Sequence, residues 1–250
     1  MSELDIFYFK QFSIFQNEEV FRIGTDAVLL ACWIHLNDGD LVLDIGTGTG
    51  VIPLMLAQRA SINVDAIDTN KNAVQLAEQN FHHCNLEKRM HAYHSDFSDW
   101  ALLNKSKYNH IISNPPFFSE SLRPVNAVKD SAKHTERNFS DRFLSSSSGV
   151  LLEKGKISVI IPFQDLEKWK NAASDHGLSV IREMHIRPTE EKKNHRALIQ
   201  FSKILTEMMV EIERLTIFNP EENRHTEAYS QFISLYLPGK KPVSRNNSNI

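Results

Sequence analysis

Apolar residues follow two different periods along the chain between residues 41 and 177. Residues 41–45 form a short apolar run that is typical of a buried strand, and residues 63–68 alternate between apolar and polar. Strands are also predicted at residues 90–95, 108–113 and 156–162. Between and after them, apolar residues recur at helical spacing over residues 51–59, 70–81 and 166–176. This alternation of strands and helices predicts an α/β fold with a doubly wound sheet.

The pattern changes after residue 177, where strand-like segments follow one another without long helices between them. These segments span residues 179–187, 197–203 and 210–218, and a final helix is predicted over residues 228–237. We therefore expect a Rossmann-like, seven-stranded doubly wound sheet with an antiparallel C-terminal edge hairpin. The chain then divides into an N-terminal extension (1–40), an α/β domain (41–237) and a polar tail (238–250) that we expect to be disordered.

Composition and charge narrow the class of protein. The 250 residues are 41% hydrophobic and 24% charged, which excludes a collagen, a coiled coil and a wholly disordered chain. The longest apolar run, residues 27–34, is too short to span a membrane, and no secretory signal is visible. Two cysteines form neither a disulfide framework nor a four-cysteine zinc site, so we expect a cytoplasmic protein without a metal. The net charge of −3 argues against binding nucleic acid by bulk charge, but it leaves room for a local basic face.

The most specific local motif is a glycine loop that follows the first buried strand and precedes a helix. Its sequence is Asp44-Ile45-Gly46-Thr47-Gly48-Thr49-Gly50. The three glycines, Gly46, Gly48 and Gly50, permit a tight turn and let a ligand approach the backbone closely. A dinucleotide fingerprint requires a glycine at the position of Val51, so that interpretation fails. An acidic residue ahead of alternating glycines suits S-adenosylmethionine, which carries an ammonium group and no phosphate.

Four side chains around this loop are candidates for holding such a cofactor. Asp44 is expected to face the ammonium group, and Asp68, which closes the next strand, to accept hydrogen bonds from the ribose hydroxyls. Asp96 follows the third strand and is expected to accept from the adenine amine, with Phe97 against the ring. Asp99 is an alternative to Asp96, and a helix N-cap is an equally simple role for Asp96.

A second motif, Asn114-Pro115-Pro116-Phe117, follows the predicted strand at residues 108–113. The two prolines end the strand abruptly and leave the Pro115 carbonyl without a partner in the sheet. The Asn114 side-chain oxygen and that carbonyl can then both accept from one NH2 group, while Phe117 offers a flat face to a planar ring. Methyl transfer to such an amine needs alignment more than a strong base. The motif therefore predicts methylation of an adenine amine or a glutamine amide, with Asn114 also bordering the cofactor.

The two motifs together resemble those of the class I S-adenosylmethionine-dependent methyltransferases with an N-P-P-aromatic motif. A third element, Phe9-Lys10-Gln11-Phe12 followed by a segment that starts Arg22-Ile23-Gly24-Thr25-Asp26, is similar to the N-terminal part of one family among them. That family is the bacterial tRNA (adenine-N6)-methyltransferases that modify position 37 of a valine tRNA. The resemblance covers nearly the whole chain, about residues 7–237.

The resemblance implies a tRNA substrate and an N-terminal extension that packs on the cofactor site. We also expect a monomer. The resemblance also implies that Gly24, Thr25 and Asp26 border the methionine end of the cofactor. Thr25 is a residue type that caps helices, and we expect it to cap a helix that starts at Asp26. The positive end of that helix would then lie near the cofactor carboxylate.

Alternatives to this function remain open from the residues alone. The same chemistry on a protein glutamine is one, although such enzymes usually carry an additional N-terminal helical domain. A non-catalytic RNA-binding protein on the same fold is another, although it would have no physical need for Asp44, Asp68 and Asn114 together. For RNA contacts, residues 123–142 are a candidate substrate loop. A denser basic cluster between the late strands is a second candidate, formed by Arg187, Lys192, Lys193 and Arg196.

Overall fold

A computed structural model describes residues 5–20, 22–115, 129–204, 210 and 212–237, and the side chains of residues 129–138 are excluded from that description. The helices are α1 (Thr25–Trp33), α2 (Val51–Leu56), α3 (Lys71–His83), α4 (Phe97–Leu103), α5 (Lys129–Val150), α6 (Leu166–Asp175) and α7 (Glu227–Ile233). The first six strands are β1 (Asp5–Tyr8), β2 (Ser13–Gln16), β3 (Leu41–Ile45), β4 (Asn63–Asp68), β5 (Met90–His94) and β6 (Tyr108–Ser113). The others are β7 (Leu151–Pro162), β8 (Ser179–Arg187), β9 (Arg196–Ser202), β10 (Ile212–Thr216), β11 (Phe218–Asn219) and β12 (Arg224–His225).

The main sheet has the order β10-β8-β9-β7-β6-β3-β4-β5. Strands β5, β4, β3, β6 and β7 run parallel, and β9 runs antiparallel to both of its neighbours, β7 and β8. The predicted doubly wound α/β fold is confirmed. The sheet has eight strands rather than seven, because β10 adds in parallel outside β8 and so lies beyond the antiparallel pair β8–β9. A second antiparallel hairpin, β11–β12, forms a small separate sheet.

The eighth strand is held to the first helix by a cluster of polar contacts. The Arg182 guanidinium donates to both carboxylate oxygens of Glu213 on β10, at 2.7 and 3.1 Å, and it also donates to the Trp33 carbonyl. The Trp33 indole donates to Glu213 as well, and the same guanidinium stacks over its ring at 4.5 Å. The predicted strand-like segment at residues 210–218 contains β10, and these contacts, which join residues about 150 and 180 positions apart, fix its place outside β8.

Two hydrophobic layers cover the two faces of the sheet. One is formed largely by α1, α2 and the buried face of α3, and the other by α4, α5 and α6. Within β3, Val42 belongs to the first layer, while Leu43 and Ile45 belong to the second. A strand covered on both faces is apolar at nearly every position, so its bounds are visible in the sequence.

The N-terminal part of the chain forms a hairpin that the sequence pattern did not predict as strands. Strands β1 and β2 pair antiparallel over four residues each, and β2 contacts α3. Stacked rings of Phe9 and Phe12, 4.5 Å apart, close the connection between the two strands. Lys10 donates to the Ser234 carbonyl just after α7, so this lysine ties the hairpin to the C-terminal helix.

Two local predictions are wrong. Helix α1 begins at Thr25 with Gly24 at its N-cap, and no side chain caps it, because Thr25 is itself the first helical residue. Much of the candidate substrate loop, residues 129–142, lies in α5 rather than in a loop. Serines and mixed charges hide the helical period there, yet Phe143 and Leu144 of the same helix are buried. No helix in the described ranges has the length and apolarity needed to cross a membrane.

Candidate functional site

The two sequence motifs meet at one edge of the sheet. Strands β3 and β6 are parallel neighbours, and their last residues, Ile45 and Ser113, pair directly. The Ser113 hydroxyl donates to the Ile45 carbonyl at 2.8 Å and ties the two strand ends together. The glycine loop, which starts at Gly46, and Asn114 therefore begin side by side. This is the carboxyl edge of the parallel strands, where open α/β sheets bind their ligands.

The glycine loop has a conformation that only glycine adopts without strain. Gly46, Gly48 and Gly50 have φ angles of +73°, +57° and +75°. At Gly50 an added Cβ would also lie 2.7 Å from the ring of Phe81, whereas at Gly46 it would meet no atom within 4 Å. Gly50 is therefore required for packing of α2 against α3, and the backbone at Gly46 faces open space in which a ligand can approach.

Asp68 fixes the loop from the end of the next strand. One of its carboxylate oxygens accepts from the Gly48 amide at 3.0 Å, and the other accepts from the Asn70 amide at 2.8 Å. Each carboxylate oxygen can accept more than one hydrogen bond. The half-buried carboxylate thus positions the loop and retains acceptor capacity for a ligand hydroxyl.

Asp44 is the most unusual group in the site. It is 1% exposed, and neither of its carboxylate oxygens has a hydrogen-bond partner among the described residues. Burial raises the pKa of Asp44 from 3.8 to about 7, against an opposing effect of the nearby Thr47 hydroxyl, and the charge of Asp68 adds to the rise. A buried carboxylate without donors is costly unless a cation or donor compensates it. The ammonium group of S-adenosylmethionine is such a cation, so the residues present fit this cofactor.

The side chain of Asn114 provides a second acceptor without a partner at the same edge, in addition to the Asp44 carboxylate. Its side-chain oxygen is buried and has no hydrogen-bond partner in the described part of the chain, and Pro115 beside it is buried. A buried amide oxygen of this kind gains a hydrogen bond when an NH2 group reaches it. The other two residues of this motif, Pro116 and Phe117, lie outside the described residues.

The predicted adenine-binding residues have partners within the protein. The Asp96 carboxylate accepts from the Ser98 amide at 2.8 Å and is the N-cap of α4. Phe97 packs against Phe143 with ring centroids 5.5 Å apart. Both residues stand at the end of β5, beside the end of β4 with Asp68, so an adenine role for them stays a prediction.

The predicted residues of the first helix also lie at the carboxyl edge of the sheet. Asp26 forms an ion pair with Arg196 at 2.9 Å, and Arg196 pairs in the sheet with Pro162 at the end of β7. Thr25 and Gly24 are exposed at the start of α1. The start of α1 therefore lies at this edge, and the Asp26 carboxylate is already paired with the Arg196 guanidinium.

A residue that the sequence interpretation missed joins the N-terminal hairpin to the glycine loop. Asn80 of α3 is fully buried, and its amide group donates to the carbonyls of Phe15 and Thr49, both at 2.9 Å. Its side-chain oxygen accepts from the Phe15 amide at 2.7 Å. The sequence did contain a signal: Asn80 lies three residues after Ala77 and seven after Ala73, on the apolar face of α3 that these buried residues define.

Comparison with known proteins assigns a family to this arrangement. Residues 11–168 match the family described as Methyltransferase small domain. The chain is 35% identical over 233 residues to the tRNA1(Val) (adenine(37)-N6)-methyltransferase of Christiangramia forsetii, covering 91% of this chain and 95% of that protein. Seven further relatives, 30 to 34% identical, carry the same name.

Solved structures with the same fold are more distant in sequence. A predicted O-methyltransferase from Agrobacterium tumefaciens has a TM-score of 0.66 at 16% identity, covering 84% of this chain and 96% of its own. TYW2 of P. horikoshii in complex with MeSAdo has a TM-score of 0.58 at 16% identity, covering 82% of this chain and 73% of its own. At these identities the likeness shows the Rossmann-like methyltransferase fold alone. The sequence matches, taken with the edge at which the two motifs meet, show that the chain belongs to the tRNA1(Val) (adenine(37)-N6)-methyltransferase family.

Proposed function

We propose that this chain transfers a methyl group from S-adenosylmethionine to the N6 amine of adenine 37 in a valine tRNA. The relatives that share most of its length carry that activity in their names. The observation that carries the proposal is a pair of buried, unpartnered acceptors, Asp44 and Asn114, on adjacent strands at the carboxyl edge of the sheet. The Asp44 carboxylate suits a cation, and the Asn114 side-chain oxygen suits an amine.

The cofactor side of the site is built from the loop and its acidic neighbours. Asp44 compensates an ammonium group, and Asp68 accepts from ribose hydroxyls while it holds Gly48 in place. The first turn of α1 directs free backbone amides toward a carboxylate, with Asp26 held by Arg196. When bound, S-adenosylmethionine supplies an electrophilic methyl group on a sulfonium.

The substrate side orients the nitrogen that accepts the methyl group. The Asn114 side-chain oxygen and the Pro115 carbonyl each accept a hydrogen bond from one N–H of the adenine amine, so the nitrogen is directed at the methyl carbon. The carbon–sulfur bond breaks as the carbon–nitrogen bond forms, and the nitrogen loses one proton to solvent. Alignment of this kind supplies most of the barrier reduction, and no general base is needed. Phe117 offers the face on which the adenine stacks after it leaves the RNA stack.

The proposal has two further parts that concern assembly and metal. We propose that a single chain acts without a metal ion, because positioning by Asn114 and Pro115 replaces the polarisation a metal would provide. Sedimentation of the protein with and without tRNA measures the first part. Full activity after chelation with EDTA is the expected result for the second, and loss of activity would contradict it.

Replacement of Asn114 tests the assigned catalytic role. Asn114→Ala removes the side-chain acceptor, so we expect turnover on tRNA to fall by at least about a hundredfold, since about 3 kcal/mol of transition-state alignment is lost. Affinity for S-adenosylmethionine, measured by calorimetry, should change only a few-fold. As a matched control, Asn104→Ala removes an amide that bonds the Trp100 carbonyl within α4, and it should retain turnover. Turnover near the wild-type rate in Asn114→Ala would refute the role.

A further inference from the structure

A basic cavity lies on the sheet beyond the proposed active site. It has a volume of about 580 Å³ and is lined by Phe163, Gln164, Arg187, Lys192, Lys193 and Asn194. The loop between β8 and β9 supplies the two lysines and Asn194, and the turn after β7 supplies Phe163 and Gln164. The lining contains three cations, two amides and no carboxylate.

The backbone fixes this cavity at the same edge as Asn114. The Phe163 amide donates to the His195 carbonyl at 3.1 Å, and the His195 amide donates to the Ile186 carbonyl at 2.8 Å. In the parallel pair β6–β7, Ser113 is in register with Val159. Asn114 is therefore level with residue 160, and Phe163 stands three residues further along the adjacent strand. At ~3.3 Å per residue this is roughly 10 Å beyond the proposed amine-binding position.

The three cationic side chains that line the cavity differ in whether they form ion pairs within the protein. Arg187 forms an ion pair with Glu190 and donates to the Thr216 hydroxyl at 2.9 Å. Lys192 and Lys193 are exposed, and neither has an ion-pair partner in the part of the chain that the structure describes. The exposed Glu191 carboxylate interacts electrostatically with Arg187 and Lys192. Because residues 187–194 contain three cations and two carboxylates, the loop keeps a net positive charge, and its exposed ammonium groups are those of Lys192 and Lys193. The side chains of Gln164 and Asn194 add neutral donors beside them.

We propose that this cavity binds a backbone phosphodiester of the substrate RNA close to the adenine that enters the active site. Two ammonium groups with amide donors match a phosphate oxyanion, and lysine binds phosphate as a point charge. An adenine displaced from its stack needs its flanking backbone held, and phosphate contacts supply that positioning. With a net charge of −3, the whole protein does not supply the attraction, so a local site has to. This inference rests on the proposed function.

A pair of matched double variants tests the proposal. Lys192→Ala/Lys193→Ala removes two positive charges from the cavity. Lys88→Ala/Lys154→Ala removes two from exposed positions at the opposite edge of the sheet, at the starts of β5 and β7. The probe is an unmodified valine tRNA transcript, with binding measured by fluorescence anisotropy at several salt concentrations. Binding of S-adenosylmethionine by calorimetry reports whether each variant retains its cofactor site.

The cavity variant should lose roughly tenfold in tRNA affinity at low salt, and the slope of log K against log salt should fall by about 1.4, or ~0.7 for each lost single-strand contact. Its KM for tRNA should rise while kcat at saturating tRNA stays within about twofold, since the contact is made equally in the ground and transition states. The control should keep the wild-type affinity, slope and KM. Cofactor affinity should be unchanged in both variants.

Other outcomes overturn the proposal in distinguishable ways. If the wild-type protein methylates tRNA and the cavity variant binds it with wild-type affinity and slope, the cavity has no phosphate role and the proposed function stands. An equal loss in the control variant would mean that long-range charge and not this cavity binds the RNA. If the wild-type protein transfers no methyl group to tRNA, the proposed function fails, and the cavity assignment fails with it.

Discussion

In the proposed site, Asp44 couples cofactor binding to the stability of the free protein. Its carboxyl group has a folded-state pKa of about 7 against an ordinary value of 3.8, because burial disfavours its charged form. The folded protein therefore binds this proton more tightly than the unfolded chain does. The resulting stabilisation is present at low pH and is lost as the pH rises from about 4 toward 7. Above that range the free protein holds an uncompensated buried charge, which a bound cation would relieve.

The variant Asp44→Asn separates these two effects. An amide cannot ionise, so the free energy of unfolding of the wild type should fall relative to that of the variant between about pH 5 and pH 8. The shift in pKa sets an upper limit of roughly 4 kcal/mol on that relative change. Affinity for S-adenosylmethionine should fall at least about tenfold near pH 8, because the neutral amide does not compensate an ammonium group.

Chemical denaturation at the two pH values and calorimetry of cofactor binding measure the effects of Asp44→Asn. The comparison uses the change in the free energy of unfolding between the two pH values. Any cost of burying the new amide is the same at both values, so it cancels. Parallel pH curves for the two proteins would contradict the inferred protonation of Asp44, and unchanged cofactor affinity would contradict its binding role.

At the scale of elements, the glycine loop depends on contacts from parts of the chain far away in sequence. The Asn80 side chain of α3 forms hydrogen bonds with the Thr49 carbonyl of the loop and with the amide and carbonyl of Phe15 in β2. Asp68 at the end of β4 holds Gly48. The N-terminal hairpin, β4 and α3 together thus set the position of the loop.

Replacement of Asn80 should therefore affect both stability and cofactor binding. Asn80→Ala leaves the buried Thr49 carbonyl without its Asn80 partner, at about 1–3 kcal/mol, and also removes the partner of two part-buried backbone groups of Phe15, so it releases the loop. We expect several kcal/mol of lost stability and at least about a tenfold weaker affinity for S-adenosylmethionine, measured at a temperature where the variant is fully folded. Asn109→Ala is the control, because Asn109 accepts from the Leu41 amide at the opposite end of β3. It should lower stability and leave cofactor affinity unchanged, and equal affinity in the two variants would refute the positioning role.

Elements defined by local burial were predictable from the sequence, and those defined by distant contacts were not. The predicted strands at residues 41–45, 63–68 and 108–113 match β3, β4 and β6 residue for residue. Most residues of these strands are buried, so their limits are visible where an apolar run or an alternation of apolar and polar residues begins and ends. The short strands β1 and β2 have no such pattern. The segment predicted at residues 210–218 contains β10, but the place of that strand in the sheet depends on the contacts of Arg182 with Glu213.

The same distinction applies to the residues of the site. Asp44, Asp68 and Asn114 could be located because each stands at the end of a buried strand, and parallel strand ends share one edge. The pairing of Asp26 with Arg196 and the role of Asn80 depend on residues 170 and 65 positions away. Thr25 was assigned as a cap from its residue type, but the helix begins one residue earlier than its pattern indicates.

At the scale of the whole molecule, the proposed function places its chemistry along one edge of one sheet. The glycine loop and Asp68 form the proposed cofactor part of this edge, Asn114 and Pro115 stand beside them after β6, and the basic cavity lies beyond β7. This order follows from the strand order and would place an RNA across β6, β7 and β9. With an acidic net charge, the protein depends on that local arrangement for its choice of substrate.

Methylation of unmodified valine tRNA with isotopically labelled S-adenosylmethionine, followed by mass spectrometry of the digested nucleosides, tests this account most directly. We predict a labelled N6-methyladenosine that maps to position 37, and its loss in Asn114→Ala. Label in another nucleoside, label in protein, or no transfer by the wild-type protein would contradict the account.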